Sequence, residues 1–343
     1  MLDAFRAHVP LCRKGGSEFT ARLMERCVAD LEAGGPVAQL VEGFEGHPWL
    51  DALCQRVLGA VQRLVLEGRA PALAPFHPFA GGTPAWPEAG DAFVATVAAH
   101  LDGLRAELRG QVQTNEVRRC AGLLGGFLAV ARATGLPLRL LEIGSSAGLN
   151  LYWDRYRYAL GPHRWGAPGA AVSIACAWQG PPPDLGAPAR VASRRGCDLH
   201  PLDPTDPAQL RRLESFLWAD QGDRRDLLRA AAAALPERPP LERSAARDFL
   251  ARELAAPREG VATLLFHSTM WWYLAPEERE AVAATLEAAG ARAGARAPLA
   301  WLRSEPPHPD FVEVRLRLWP GGEDRLLGRA HPHGRWVEWL ATA

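Results

Sequence analysis

Leu138-Arg139-Leu140-Leu141-Glu142-Ile143-Gly144-Ser145-Ser146-Ala147-Gly148-Leu149-Asn150 is the stretch on which the fold turns. Leu138, Leu140, Leu141 and Ile143 make a short apolar run, the pattern of a strand buried on both faces. Glu142 interrupts it at the tip. Gly144 lets the chain turn sharply, and the small residues up to Gly148 leave room for a ligand or a close strand–helix contact. Leu149 to Tyr158 reads as an amphipathic helix. Strand, turn and helix in this order place backbone N–H groups and a positive helix end beside a crevice.

Three readings compete for this run. The first is the glycine motif of an S-adenosylmethionine-dependent methyltransferase, hydrophobics-E-x-G-x-x-x-G-x-N. The second is a nucleophile elbow, since Gly144 to Gly148 also satisfies G-x-S-x-G with Ser146 as nucleophile. The third is a plain strand-to-helix turn without a ligand.

The whole chain sets outer bounds. Its 343 residues call for one large or two medium domains. Thirty-nine basic and 39 acidic residues cancel, so charge offers no case for nucleic acid or membrane partners. No apolar run reaches transmembrane length and the N-terminus lacks a signal-peptide layout, which points to the cytoplasm. The six cysteines show no metal spacing, so buried free thiols and no metal are expected. A small-molecule substrate is the expected partner.

Residues 1 to about 110 carry only helical periodicity. Ser17 can cap a helix with Phe19, Leu23, Cys27 and Leu31 on one face. A second helix spans Trp49 to Leu66 and a third about Glu88 to Leu108, after a proline-rich loop holding His77. This N-terminal helical domain reads as a lid or packing domain, with homodimerisation as the alternative role. Asn115 then caps a helix that leads into the pivotal strand, which assigns 111–343 to the second domain.

Past the glycines, Arg155 to Pro183 contains no Asp or Glu. A dinucleotide fold wants its ribose acid about twenty residues beyond the glycines, and that window is empty. Residues 160–189 therefore read as an insertion, with one strand-like run at Ala171 to Trp178. Arg190 to Leu199 becomes the second parallel strand, with Asp198 at its tip for a ribose diol. Further strands are expected at Leu241 to Ala245, Val261 to Phe266 and Pro298 to Leu302. Val312 to Trp319 and Arg325 to Arg329 form a hairpin across Gly321-Gly322. The fold class is thus α/β: a Rossmann-like methyltransferase fold, mostly parallel, with one reversed strand in a C-terminal antiparallel hairpin.

Several runs resemble a bacterial family catalogued as a domain of unknown function, number two-three-three-two. They are Val112 to Val117, Leu141 to Leu151, Asp154 to Tyr158, Gly196 to Pro201, Phe266-His267-Ser268 and Pro332 to Trp336. The resemblance implies a methyltransferase-like Rossmann fold and no particular substrate. The chain departs from it where Ser244-Ala245 stands in place of Gly-Asp, removing the acid that would meet an adenine amine.

The site assignment follows from strand ends. Glu142, Gly144, Ser145, Gly148, Asn150 and Asp198 are expected to bind S-adenosylmethionine. His267, after the fourth strand, stands where a catalytic base should. Asn115, Asp154, Trp271 and Tyr273 are placed against the substrate. The function expected is methyl transfer to a small acceptor. The alternatives are a methyltransferase-like fold that is noncatalytic or performs cofactor-independent displacement or cyclisation, and a serine hydrolase using Ser146.

Overall fold

Apolar stripes at helical spacing give the first third of the chain twelve-to-fifteen-residue helices and two shorter ones: α1 (Leu2–Lys14), α2 (Glu18–Glu32), α3 (Pro36–Val41), α4 (Leu53–Leu66), α5 (Glu88–Ala99) and α6 (Leu101–Leu108). A computed structural model describes residues 1–308 and 310–341. Two compact units divide the chain, Met1–Thr114 with Asp206–Asp226, and Asn115–Thr205 with Leu227–Ala343.

In the first unit Ser17 caps α2 as its sequence predicts, accepting from the Thr20 N–H at 3.2 Å. Asp220 reinforces that end, accepting from the Ser17 hydroxyl at 2.5 Å and the Phe19 N–H at 3.0 Å. Gln62 of α4 donates to the carbonyls of Glu214, Ser215 and Leu217 at 2.9, 3.1 and 2.7 Å. Those polar ties, with Phe216 packed on Gly59, hold residues 206–226 in the helical unit. His8 and His77 are buried, and neither His8 Nε2 nor His77 Nδ1 has a partner.

The second unit opens with α7 (Cys120–Thr134) and then eleven strands in chain order: β1 (Leu138–Ile143), β2 (Arg157–Leu160), β3 (His163–Trp165), β4 (Ser173–Gln179), β5 (Val191–Asp198), β6 (Leu241–Arg243), β7 (Ala262–Ser268), β8 (Leu299–His308), β9 (Phe311–Trp319), β10 (Asp324–Ala330) and β11 (Trp336–Trp339). In chain order α8 (Pro207–Ser215), which belongs to the first unit, and α9 (Gly222–Ala233), which straddles the boundary, fall between β5 and β6; α10 (Ala246–Glu253) and α11 (Pro276–Gly290) follow β6 and β7. All strands join one sheet, in the order β3-β2-β4-β11-β10-β9-β8-β7-β1-β5-β6. The block β6-β5-β1-β7-β8 is parallel, with β1 at its centre. Antiparallel pairing then carries β8 through β9, β10 and β11. The result is a mixed α/β architecture with a large, mostly parallel sheet, a C-terminal antiparallel hairpin and N-terminal helices.

Alternation along β1 divides its side chains between two faces. Leu141 and Ile143 join Phe249 and Leu250 of α10 and Val282 and Leu286 of α11. Leu140 and Glu142 point to the other face, where α7 packs, its Gly126 pressed against Leu302 of β8.

Four expectations need correction. Leu149 to Tyr158 is not one amphipathic helix; a kinked 3₁₀ turn spans Leu149–Arg155, and β2 begins at Arg157. A helix buries one stripe, whereas Leu149 to Trp153, Tyr156 and Tyr158 are all buried. The Tyr156 and Tyr158 hydroxyls donate to the Leu149 and Trp153 carbonyls at 2.6 and 2.8 Å, folding the segment back on itself. The inserted segment supplies two strands, β3 and β4, rather than one, and with β2 just ahead of it they extend the sheet beyond β11. Four strands oppose β1 rather than one, namely β9, β11, β4 and β2. Asn115 caps no long helix; Glu116 accepts from the Arg118 N–H before α7, and Asn115 turns to the glycine loop.

Burial pushes the imidazoles of His8 and His77 down to about 4, helped at His77 by the Arg225 charge. The folded state therefore binds fewer protons than the unfolded chain between about pH 6.5 and 4, so stability is lost as pH falls through that window. Each histidine should remove up to roughly 3 kcal/mol by pH 4. Urea midpoints measured from pH 7 to 4 should fall accordingly, and His77→Gln should flatten the slope.

Candidate functional site

Gly144, Ser146 and Gly148 alternate in left-handed conformation, with φ of 63°, 53° and 71°. This winds the chain so tightly that its amides meet protein acceptors. The Ser145 N–H donates to the Cys197 carbonyl at 3.0 Å and the Gly148 N–H to the Ser145 carbonyl at 2.8 Å. Asp198 accepts from the Ser146 N–H at 2.9 Å through Oδ2 and from the His200 N–H at 2.9 Å through Oδ1. Asn115 Oδ1 accepts from the Leu149 N–H at 2.9 Å, and Ser145 Oγ donates to the Glu142 carbonyl at 2.8 Å. Asn115, Ser145, Ser146 and Asp198 are thus brought together, as builders of the turn.

Glu142 lies beneath that turn and is 2% exposed. Burial, then the negative charge of Asp198, push its carboxyl well above the ordinary carboxylate range, against a hydrogen bond with Asn150. Its Oε2 has no partner. Asn150 Oδ1 accepts from the Cys120 thiol at 3.3 Å. The arrangement favours the protonated acid, a neutral donor rather than a base.

His267 belongs to a different cluster, on the α10–α11 face shared by Leu265 and Trp301. It is fully buried. The indole N–H of Trp301 donates to His267 Nε2 at 3.0 Å, and Nδ1 meets Glu305 Oε1 at 2.6 Å. An indole can only donate, so Nε2 is the accepting nitrogen and the proton sits on Nδ1, donated to the carboxylate. Trp271 stacks on the imidazole with centroids 5.2 Å apart. Both ring nitrogens are engaged by protein, so in this arrangement neither is presented to a substrate.

Glu305 also accepts from the Met270 and Trp271 N–H groups at 3.1–3.2 Å. Sequence reading missed Glu305, Trp301 and Met270. The fifth strand was expected to stop at Leu302, three residues short of the acid, and nothing in its spacing marked Glu305 as structured.

The remaining assignments scatter. Asp154 pairs through both oxygens with Arg194 Nη2 at 2.6 Å, and that guanidinium lies over the Tyr152 ring. It ties the 3₁₀ turn to the middle of β5, two residues below Gly196. Trp272 and Tyr273 are exposed, at 54% and 60%, in a short turn after Met270. At the end of β6 the Ser244 hydroxyl donates to the Ala245 carbonyl, and Asp248 is exposed in the first turn of α10. All six cysteines are free and buried, and no group of three His, Cys, Asp or Glu among the described residues is placed to hold a metal ion. No helix among those residues is long and apolar enough to cross a membrane.

A mixed α/β protein with a parallel five-strand block and a glycine turn at its central strand is the class that fold and site define. Residues 2–339 match the family described as "Uncharacterized protein conserved in bacteria (DUF2332)", and the chain belongs to that family. No curated protein and no solved structure matches it.

A raised carboxyl makes the folded state bind a proton that the unfolded chain releases above the usual range near 4.5. Stability from that group is therefore full at low pH and is lost as pH rises. Glu142→Gln keeps the shape without the charge. Its melting temperature should exceed that of the wild type at pH 8 and converge on it towards pH 5, read by scanning calorimetry. A variant that melts lower at every pH would show that the carboxylate itself is needed.

Proposed function

We propose that the second unit binds an adenosyl ligand of the S-adenosylmethionine class and transfers its methyl group to a small acceptor. One observation carries the reading. In the order β6-β5-β1-β7-β8 the winding reverses between β1 and β7, and open α/β sheets bind ligands outside the carboxyl ends of the strands at such a switch point. The Gly144 turn borders that crevice on one side and Ser268 to Met270 on the other.

The residues present fit such a ligand in part. Asp198 stands at the tip of the neighbouring strand, where an acid can accept from ribose hydroxyls. No acid stands at Ala245 for the adenine amine. A charged hydrogen bond of that kind contributes about 1.5–3 kcal/mol, so binding should be weaker by tenfold or more than with the acid present. The ligand would supply an electrophilic methyl group. The chain's own part is to position and to exclude water, with Trp271 and Tyr273 beside the acceptor and His267 ordering Trp271 from beneath rather than taking a proton.

A serine hydrolase is the second reading, favoured by the left-handed Ser146, since a nucleophile elbow holds its serine in a strained turn. Against it, the chain before β1 is helical and a 3₁₀ turn replaces the elbow's helix.

Calorimetry with S-adenosylhomocysteine up to millimolar concentration separates the two. Binding should be measurable in the wild type and weakened at least tenfold by Asp198→Asn, which keeps one acceptor oxygen. Gly148→Val should abolish it, because any side chain there meets Pro239 and Leu241 at about 3 Å. Silence with both S-adenosylmethionine and S-adenosylhomocysteine removes the adenosyl reading, and fluorophosphonate labelling lost in Ser146→Ala would install the other.

A further inference from the structure

We propose that Glu305 and Met270 act as latch and plug of the β1–β7 crevice, so that Met270 determines what can enter it; the identity of the entrant rests on the adenosyl reading, the latch does not. The space that Gly144 leaves by lacking a side chain is already taken. A Cβ placed there would lie 2.9 Å from Met270 Cβ and Cγ and 3.0 Å from its terminal methyl. Met270 lies along the glycine and packs on the cluster holding Ile143, Cys197 and Ala246. A thioether chain with three rotatable bonds can leave such a position without rebuilding its neighbours.

What keeps Met270 there is backbone, not side chain. Glu305 accepts from the Met270 and Trp271 N–H groups and from His267 Nδ1. All three donors lie within the five residues His267 to Trp271, where the end of β7 runs into the strap Thr269 to Tyr273. The His267 ring, pinned from its other side by Trp301, also supports Trp271. One carboxylate therefore sets the path of the chain over the crevice.

The strap carries signs of a segment held away from its relaxed form. Thr269 is β-branched yet has φ of 52°, a conformation that persists only where the surroundings enforce it. Its N–H donates to the Ser304 carbonyl at 3.0 Å, while its buried hydroxyl has no partner. Releasing Glu305 frees Thr269 to relax, its hydroxyl to find an acceptor, and Met270 to swing off Gly144. Trp272 and Tyr273, exposed just beyond, move with it.

Peptide-resolved amide exchange without any ligand tests the latch. In Glu305→Gln, and in the shorter Glu305→Asp, exchange across Met270–Trp271 should speed up at least tenfold while β1 stays protected. Unchanged exchange in both variants overturns the latch. Met270→Ala should speed exchange in Gly144–Leu149 without affecting Thr269 and should raise affinity for S-adenosylhomocysteine at least tenfold. If the wild type binds that probe and Met270→Ala binds no tighter, the plug is overturned. If neither binds it, the adenosyl reading falls, and exchange of the glycine turn alone decides the plug: faster in Met270→Ala upholds it, unchanged overturns it.

Discussion

A parallel strand without solvent on either face can satisfy its N–H and C=O groups only through neighbouring strands, so β1 requires β5 and β7 on its two sides. Both its faces must then be roofed, by α7 on one and by α10 with α11 on the other. Polar chemistry is confined to the carboxyl edge, where these strands end together. Every group that the glycine turn employs arrives there from a different part of the chain, and β1 is what brings them to one place.

Two acids near that edge, Glu142 and Glu305, meet opposite circumstances. Glu142 looks into the α7 face, with an amide beside it, one oxygen without a partner and a second carboxylate nearby, so protonation is its easiest escape from desolvation. Glu305 stands on the other face and gathers an imidazole N–H and two backbone N–H groups. The sheet thus separates a carboxyl with one unpartnered oxygen from one that accepts three N–H groups, and Met270, lying beside Gly144, stands between the two neighbourhoods.

Strands with continuous apolar runs were legible, because burial on both faces leaves no other way to use Leu138 to Ile143 or Val261 to Phe266. The same holds for the hairpin punctuated by Gly321-Gly322. Leu149 to Tyr158 misled, since its aromatic residues fit helical spacing while their burial demanded a fold-back that depends on two tyrosine hydroxyls reaching specific carbonyls. The insertion misled for a related reason: β2 and β3 are short, and the group joins the rest of the sheet through β4 on β11, which lies far away in sequence. At the site, Asp198 and Asn115 were recognised as belonging beside the glycine turn. Nothing local could reveal that His267 looks away from that turn towards Trp301, because its surroundings are written thirty-four residues downstream.

The reach of Gln62 to the end of α8 bears on how the chain comes off the ribosome. Residues 1–114 emerge first, yet the carbonyls that Gln62 serves and the carboxylate that completes the α2 cap belong to residues 214–220. At about 5–20 residues per second, those partners follow several seconds later, after β1 to β5 have been synthesised. During that interval the α4 face around Gly59 has no Phe216 against it and the Gln62 amide has no acceptor. Residues 1–114 therefore leave the ribosome with the α4 face and the α2 cap incomplete, and both are finished only when residues 214–220 arrive.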